Sequence, residues 1–249
     1  MLVGGMTYRA VFFDAGETLV HPHPSFPELL SDLLGREGIY ADPIDVREGV
    51  SIVADHFARA AEDGVLWTTS AHASKAFWME VYRAFLARVG AGDRVGLPER
   101  LYGAFTDLSN YRLFDDVLPV LHRLKGEGLT LGVISNFEEW LERLLVELRV
   151  ADLFDVQVIS GIEGVEKPDT AIFRIALERA GMEAAGCVYV GDNPIFDTTP
   201  AEAVGMRGVL IDRRGRFPDH AGPGVRITSM SDLPAAIGLH PSVATIGLA

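Results

Sequence analysis

Four short apolar runs, each ending abruptly on a polar or turn-forming residue, constrain the fold of this chain more than any other feature. They occupy residues 10–13, 129–134, 188–190 and 208–211, with a weaker fifth at 156–159. A run without polar alternation is buried on both faces, which is the mark of a strand inside a parallel sheet. Helical patterns lie between the later runs, at 117–127, 138–148, 170–180 and 197–204. Strand alternating with helix predicts an α/β fold built on a doubly wound parallel sheet.

Residues 21–112 break that rhythm. Their periodicity is almost wholly helical, over 26–38, 44–61, 71–89 and 98–110, with Gly and Pro between the segments. The expected organisation is an α/β core from residues 1–20 and 113–249, with a helical domain at 21–112 inserted after the first strand. Beyond Asp212 the sequence is rich in Gly, Pro and Arg, and a short helix is expected near 231–237. The last ten residues are expected to be poorly ordered.

Charge and composition narrow the partners. Thirty-five acidic against 22 basic residues give a net charge of -13, which disfavours a broad nucleic-acid interface but leaves room for a local anion pocket. The single cysteine, Cys187, sits beside Val188, Tyr189 and Val190 and is expected to be buried, with no internal disulfide. The opening MLVGGMTYRAVFF lacks the pattern of a signal peptide, and no apolar run reaches membrane-spanning length. The cytoplasm is the expected compartment, with neither membrane nor nucleic acid as partner.

In an open α/β sheet, ligands bind at the carboxyl ends of the strands. The first strand delivers Asp14 there, the second Ser135 and Asn136, and VYVGDNPIFD delivers Asp192 with Asp197 five residues on. GVEKPDTAIF places Lys167 just before Pro168, which reads as the first residue of a helix. Three carboxylates crowded at one sheet edge repel one another unless a cation lies among them. Mg²⁺ suits them, being a hard ion that takes oxygen ligands and keeps a place for a substrate phosphate. Lys167, Ser135 and helix-start amides can hold the phosphate's other oxygens. The pattern predicts a phosphoryl-transfer site with Asp14 free to act as nucleophile.

Asp14-x-x-x-Thr18-Leu19, then Ile134-Ser135-Asn136, then Glu166-Lys167-Pro168-Asp169, then Gly191-Asp192-x-x-x-x-Asp197 resemble the four motifs of the haloacid dehalogenase-like hydrolases, in that order and across nearly the whole chain. The helical insert resembles the cap of that family's first subfamily. The resemblance implies an aspartyl-phosphate on Asp14, with Ser135 and Lys167 binding the phosphoryl group. Thr18, which supports the loop, and Asn136 are the implied substrate-binding residues. Mg²⁺ is implied at Asp14, the main-chain carbonyl of Gly16, Asp192 and, directly or through a second layer, Asp197. The substrate class implied is a small phosphorylated metabolite.

One departure stands out. Phosphatases of this family carry a second Asp two positions after the nucleophile as general acid and base, and here that position is Gly16, followed by Glu17. Positioned proton transfer is worth roughly 10²–10⁴-fold in rate. Glu17, a residue of the helical insert such as His21 or His23, or a water are the candidate replacements; a substrate that needs no acid is the other solution. Gly16 therefore keeps two further functions open, a 2-haloacid dehalogenase and a catalytically weak binding protein. A phosphonate-cleaving chemistry would need a lysine in the insert, where the only one is Lys75. Trp67 and Trp78 are expected in the core of the helical insert.

Overall fold

Residues 10–13 form the centre of the sheet because nothing in them favours water: Ala10, Val11, Phe12 and Phe13 are all fully buried. The computed structural model describes residues 8–222 and 224–239, and the expectation for the last ten residues lies outside them. In chain order its strands are β1 (Ala10–Phe13), β2 (Val20–Pro22), β3 (Tyr111–Leu113) and β4 (Thr130–Ser135). β5 (Val156–Ile159), β6 (Cys187–Gly191), β7 (Arg207–Ile211) and β8 (Val225–Ile227) follow. Six of them form one parallel sheet in the order β5-β4-β1-β6-β7-β8. The chain fills one side of β1 and then crosses to the other, so the topological switch point lies at the end of β1, where ligands are expected.

Both faces of the sheet are covered. Val11 and Phe13 pack with Leu121 and Leu124 of α5 (Val117–Gly126) and Leu144 of α6 (Trp140–Glu147). Ala10 and Phe12 point the other way, toward Phe173 and Ala176 of α8 (Ala171–Ala180) and Ala201 of α9 (Thr199–Ala203). Alternate side chains of an uninterrupted apolar strand thus feed two separate cores. The short α7 (Ser160–Glu163) follows β5, and α10 (Leu233–Ala236) closes the described chain with Leu233 in the first core. Cys187 is buried and unpaired.

Four helices lie between β2 and β3: α1 (Phe26–Arg36), α2 (Pro43–Asp63), α3 (Ala71–Arg88) and α4 (Leu97–Phe105). Ser25, Asp42 and Ser70 cap the first three by accepting from helix amides. Leu30, Leu34, Phe85, Leu86 and Leu101 give them an apolar core of their own. β2 and β3 pair antiparallel and carry the chain out of and back into the sheet layer. No helix among the described residues is long and apolar enough to cross a membrane.

Several boundaries differ from expectation for local reasons. The helix expected over 98–110 stops at Phe105, where Thr106 Oγ1 donates back to Tyr102 O and Asp107 takes the Ser109 amide. Pro168 lies in a turn, and α8 begins only at Ala171, whose amide donates to Asp169 Oδ1. Asp197 belongs to a π-helical turn, Pro194–Thr198, whose first amides are capped by Asn193. β2, β3 and β8 are three residues each, too short for a pattern to show.

One polar cluster fixes the loop after β7. Asp116 accepts from Arg213 at 2.9 and 3.0 Å, from Ser229 Oγ at 2.7 Å and from the Met230 amide at 2.8 Å. Arg213 in turn donates to Thr18 O at 3.0 Å, which ties this loop to the turn after β1. Burial alone would raise the Asp116 pKa, but the bonds from Arg213 and Ser229 outweigh it and hold it below the ordinary carboxylate value. Asp116→Asn is therefore expected to cost roughly 1–3 kcal/mol in urea unfolding at pH 7. That difference is expected to shrink below about pH 4, because the contribution is present above the unfolded pKa and lost as pH falls through the lower folded one.

Candidate active site

Asp14 leaves β1 at the switch point with its amide still in the ladder, donating to Val190 O at 2.8 Å. Its Oδ1 accepts from Lys167 Nζ at 2.7 Å and Ser135 Oγ at 3.0 Å. No described residue donates to its Oδ2. Lys167 arrives from the loop before α8, and its ammonium is spent on three partners: Asp14, Tyr189 OH at 2.9 Å and Asp197 Oδ1 at 2.6 Å. Its side chain is 3% exposed. Burial alone would lower its pKa, but the Asp14 and Asp197 carboxylates outweigh this and hold the lysine charged, above its ordinary value.

Asp14, Asp192 and Asp197 each bring a carboxylate oxygen within 4.8 Å of the others. Burial raises the Asp14 pKa, and the charge of Asp197 adds to it against the opposing pull of Lys167. Asp192 is pushed up to about 8 by burial and then by Asp197 and Asp14, although Arg216 donates to its Oδ2 at 2.5 Å. Such a cluster is short of positive charge, and hard oxygen donors of this kind fit Mg²⁺. The three acids are not equivalent. Asp197 Oδ1 is taken by Lys167 and its Oδ2 by the Asn193 amide at 2.9 Å, so this residue positions the lysine. Asp14 and Asp192 each keep an oxygen with no described partner. Gly191 permits the close approach, because a Cβ there would overlap the Asp197 carboxylate.

Residues 8–205 match the family model of the haloacid dehalogenase-like hydrolases. The chain belongs to that family. It is 32% identical over 169 residues to a haloacid dehalogenase-like hydrolase domain-containing protein 3 of Danio rerio, covering 66% of this chain and 70% of that one. It is 28% identical to a phosphoserine phosphatase of Thermus thermophilus, over 90% of this chain and 97% of that protein. The fold matches a magnesium-bound HAD hydrolase structure from Bacillus subtilis with a TM-score of 0.76 at 18% identity, over 93% and 99% of the two chains. The α/β architecture and the assignment as a hydrolase follow.

Within this hydrolase, the remaining candidate residues lie in different surroundings, and of them Glu17 and Asn136 line the cavity over Asp14. Thr18 is fully buried and does not line the cavity over Asp14. Asn136 spends its side chain on Lys167, accepting from its amide at 2.7 Å and donating to its carbonyl at 2.8 Å. It holds the Lys167 loop in place. His21 packs on Phe114, with ring centres 4.4 Å apart, and neither it nor His23 lines the cavity; their neighbours Val20 and Pro22 do. Lys75 is exposed and lies over the Tyr102 ring. Glu17 is held by Arg214 at 2.9 Å, on a backbone with φ of 56°, a conformation costing a non-glycine residue about 1–2 kcal/mol.

Four residues make contacts at the site that the sequence did not reveal. Tyr189, which only a polar atom in the run CVYVG could have betrayed, buttresses Lys167 and lies 2.9 Å from Ile134 O. Arg216 reaches Asp192 from a loop far along the chain. Glu138 and Glu166, beside the loops that carry Ser135 and Lys167, bind the helical insert. Glu166 accepts from the Thr68 amide and hydroxyl, each at 2.6 Å, and from the Trp67 amide at 3.1 Å. Glu138 accepts from Ser74 Oγ at 2.7 Å and Tyr102 OH at 3.0 Å. Glu166→Gln is expected to raise amide hydrogen exchange at Trp67 and Thr68 by at least about tenfold, the counterpart of one charged hydrogen bond. Unchanged protection at both amides would show that other contacts seat the insert.

Proposed function

We propose that this hydrolase is a Mg²⁺-dependent phosphatase that works through an aspartyl-phosphate on Asp14. The observation that carries the reading is the arrangement at Asp14: one oxygen is fixed by Lys167 and Ser135, and the other is left without a described partner beside the Asp192 carboxylate. Two cations, Lys167 and Arg216, face three carboxylates, so a phosphate group needs a further cation to enter. Mg²⁺ held by Asp14, Asp192 and the Gly16 carbonyl would supply that charge and polarise the phosphoryl oxygens. Lys167 and Ser135 keep the carboxylate oriented for attack and bind the phosphoryl oxygens as charge builds on them. Asp197 keeps Lys167 protonated and in place. Residues 21–112 are read as the cap that closes over the reacting group, latched by Glu138 and Glu166. The similarity to a phosphoserine phosphatase supports phosphate-ester chemistry.

Gly16 favours a second reading, carbon–halogen hydrolysis, which needs no acid for the leaving group. The three acidic groups weigh against it, since they repel an anionic haloacid unless a cation screens them.

Phosphate release from a panel of phosphomonoesters is expected to depend on Mg²⁺, to fall to background with chelator, and to vanish in Asp14→Asn. Chloride release from a 2-haloacid with chelator present, and no phosphate release from any ester, would establish the second reading instead. Gly16→Asp is sterically allowed, since a Cβ there stands 3.9 Å from Phe137 Cε2. It is expected to raise turnover of alkyl phosphates by about 10²-fold or more. An unchanged rate would show that proton transfer at this position does not limit the enzyme.

A further inference from the structure

The cavity over Asp14, of about 880 Å³, has two chemically different ends. Lys167, Arg214, Arg216 and the acidic groups line the end beside the nucleophile. At the other end, every described lining residue from α1 to α4 is uncharged. That wall is aromatic. Phe57 stacks on Trp67 with ring centres 4.7 Å apart, and Trp78 stands edge-on to both at 5.8 and 6.4 Å. Trp78 stacks in turn on Tyr82 at 5.8 Å. Val53 and Ala54 of α2 complete the apolar surface.

We propose that the substrates are phosphate monoesters of uncharged, ring-bearing phenols, with the ring seated on the Phe57–Trp67–Trp78 wall. The proposal rests on the phosphatase reading and adds the leaving group to it. Two independent observations meet in it. The first is the wall itself: a flat ring gains offset and edge-on contacts there, whereas an amino-acid or sugar-acid ester would place charges against it without partners. Glu138 offers no remedy, because both its oxygens already accept from Ser74 or Tyr102. The second is Gly16. Without a positioned acid the leaving oxygen departs as an anion, and a phenol, with a pKa of about 10, tolerates this far better than an alkyl alcohol, which lies near the roughly 15.7 of water.

The steps balance without an acid at position 16. Asp14 forms an O–P bond as the ester P–O bond breaks, and the electron pair leaves on the phenol oxygen, which takes a proton from solvent. Water then attacks the phosphorus of the acyl phosphate, giving inorganic phosphate and the free carboxylate, and its proton returns to solvent.

The test compares kcat/KM for 1-naphthyl phosphate, phosphoserine and glycerol phosphate with Mg²⁺ present. All three tryptophans of the chain line the cavity, so quenching of their fluorescence by 1-naphthol reads binding without turnover. The expected result is a preference for the naphthyl ester of at least about tenfold over both charged or polar esters, with saturable naphthol quenching. Ala54→Lys, an exposed position on α2, is expected to lower both naphthyl turnover and naphthol binding by a comparable factor. Phosphoserine or glycerol phosphate turned over as well as the naphthyl ester, or naphthol quenching that does not saturate, overturns the proposal and leaves the phosphatase reading intact. Hydrolysis of none of the esters overturns both.

Discussion

The ammonium of Lys167 is the group on which the rest of the site depends. It is buried with three partners, Asp14, Asp197 and Tyr189, and uses all its protons on them. A buried charge in that position is tolerable only because its partners are fixed, and removing one partner of such a pair costs about 3–5 kcal/mol. Every neighbouring feature serves that fixation. Asn136 clamps the Lys167 backbone from both sides, the Asn193 amide holds Asp197, and Gly191 leaves room for the Asp197 carboxylate. The sheet brings the contributing loops together at one edge, so the ion pair and the fold enforce one another.

The same loops reach upward into the helical insert. Glu166 precedes Lys167 directly and binds Thr68, while Glu138 lies three residues after Ser135 and binds Ser74 and Tyr102. Two carboxylates that would be expensive to bury alone are satisfied by hydroxyls and amides of the insert. Seating of the insert and the geometry of the loops that carry Ser135 and Lys167 are therefore physically linked. The insert also sets its aromatic wall on the same cavity as Asp14, so what the wall admits and what meets the Asp14 carboxylate are decided in one space.

Much of this was legible in the sequence, and the limits have physical causes. Uninterrupted apolar runs revealed the central strands, and the residues ending them, Asp14 and Ser135, revealed the sheet edge that carries the chemistry. Asp197 was legible as a charge near a helix start, but its role was not, because a π turn and the partners of both its oxygens depend on three-dimensional placement. Tyr189 was hidden inside an apolar run, where an aromatic ring reads as core. The contacts of Glu138 and Glu166 to the insert were hidden because their partners lie 64 and 98 residues away along the chain. Trp67 and Trp78 read as core of the helical insert, and they do pack together; that they also face the cavity depends on how the insert meets the sheet.

Trapping the covalent intermediate tests the central claim most directly. The protein is mixed with an aryl phosphate and Mg²⁺, quenched in acid, reduced with borohydride and digested, and the peptide containing Asp14 is examined by mass spectrometry. The account predicts that Asp14 is converted to the reduced side chain expected of an acyl phosphate, and that no other carboxylate is. Phosphate release that continues while Asp14 stays unmodified, with the intermediate found on another residue or with turnover preserved in Asp14→Asn, would contradict it.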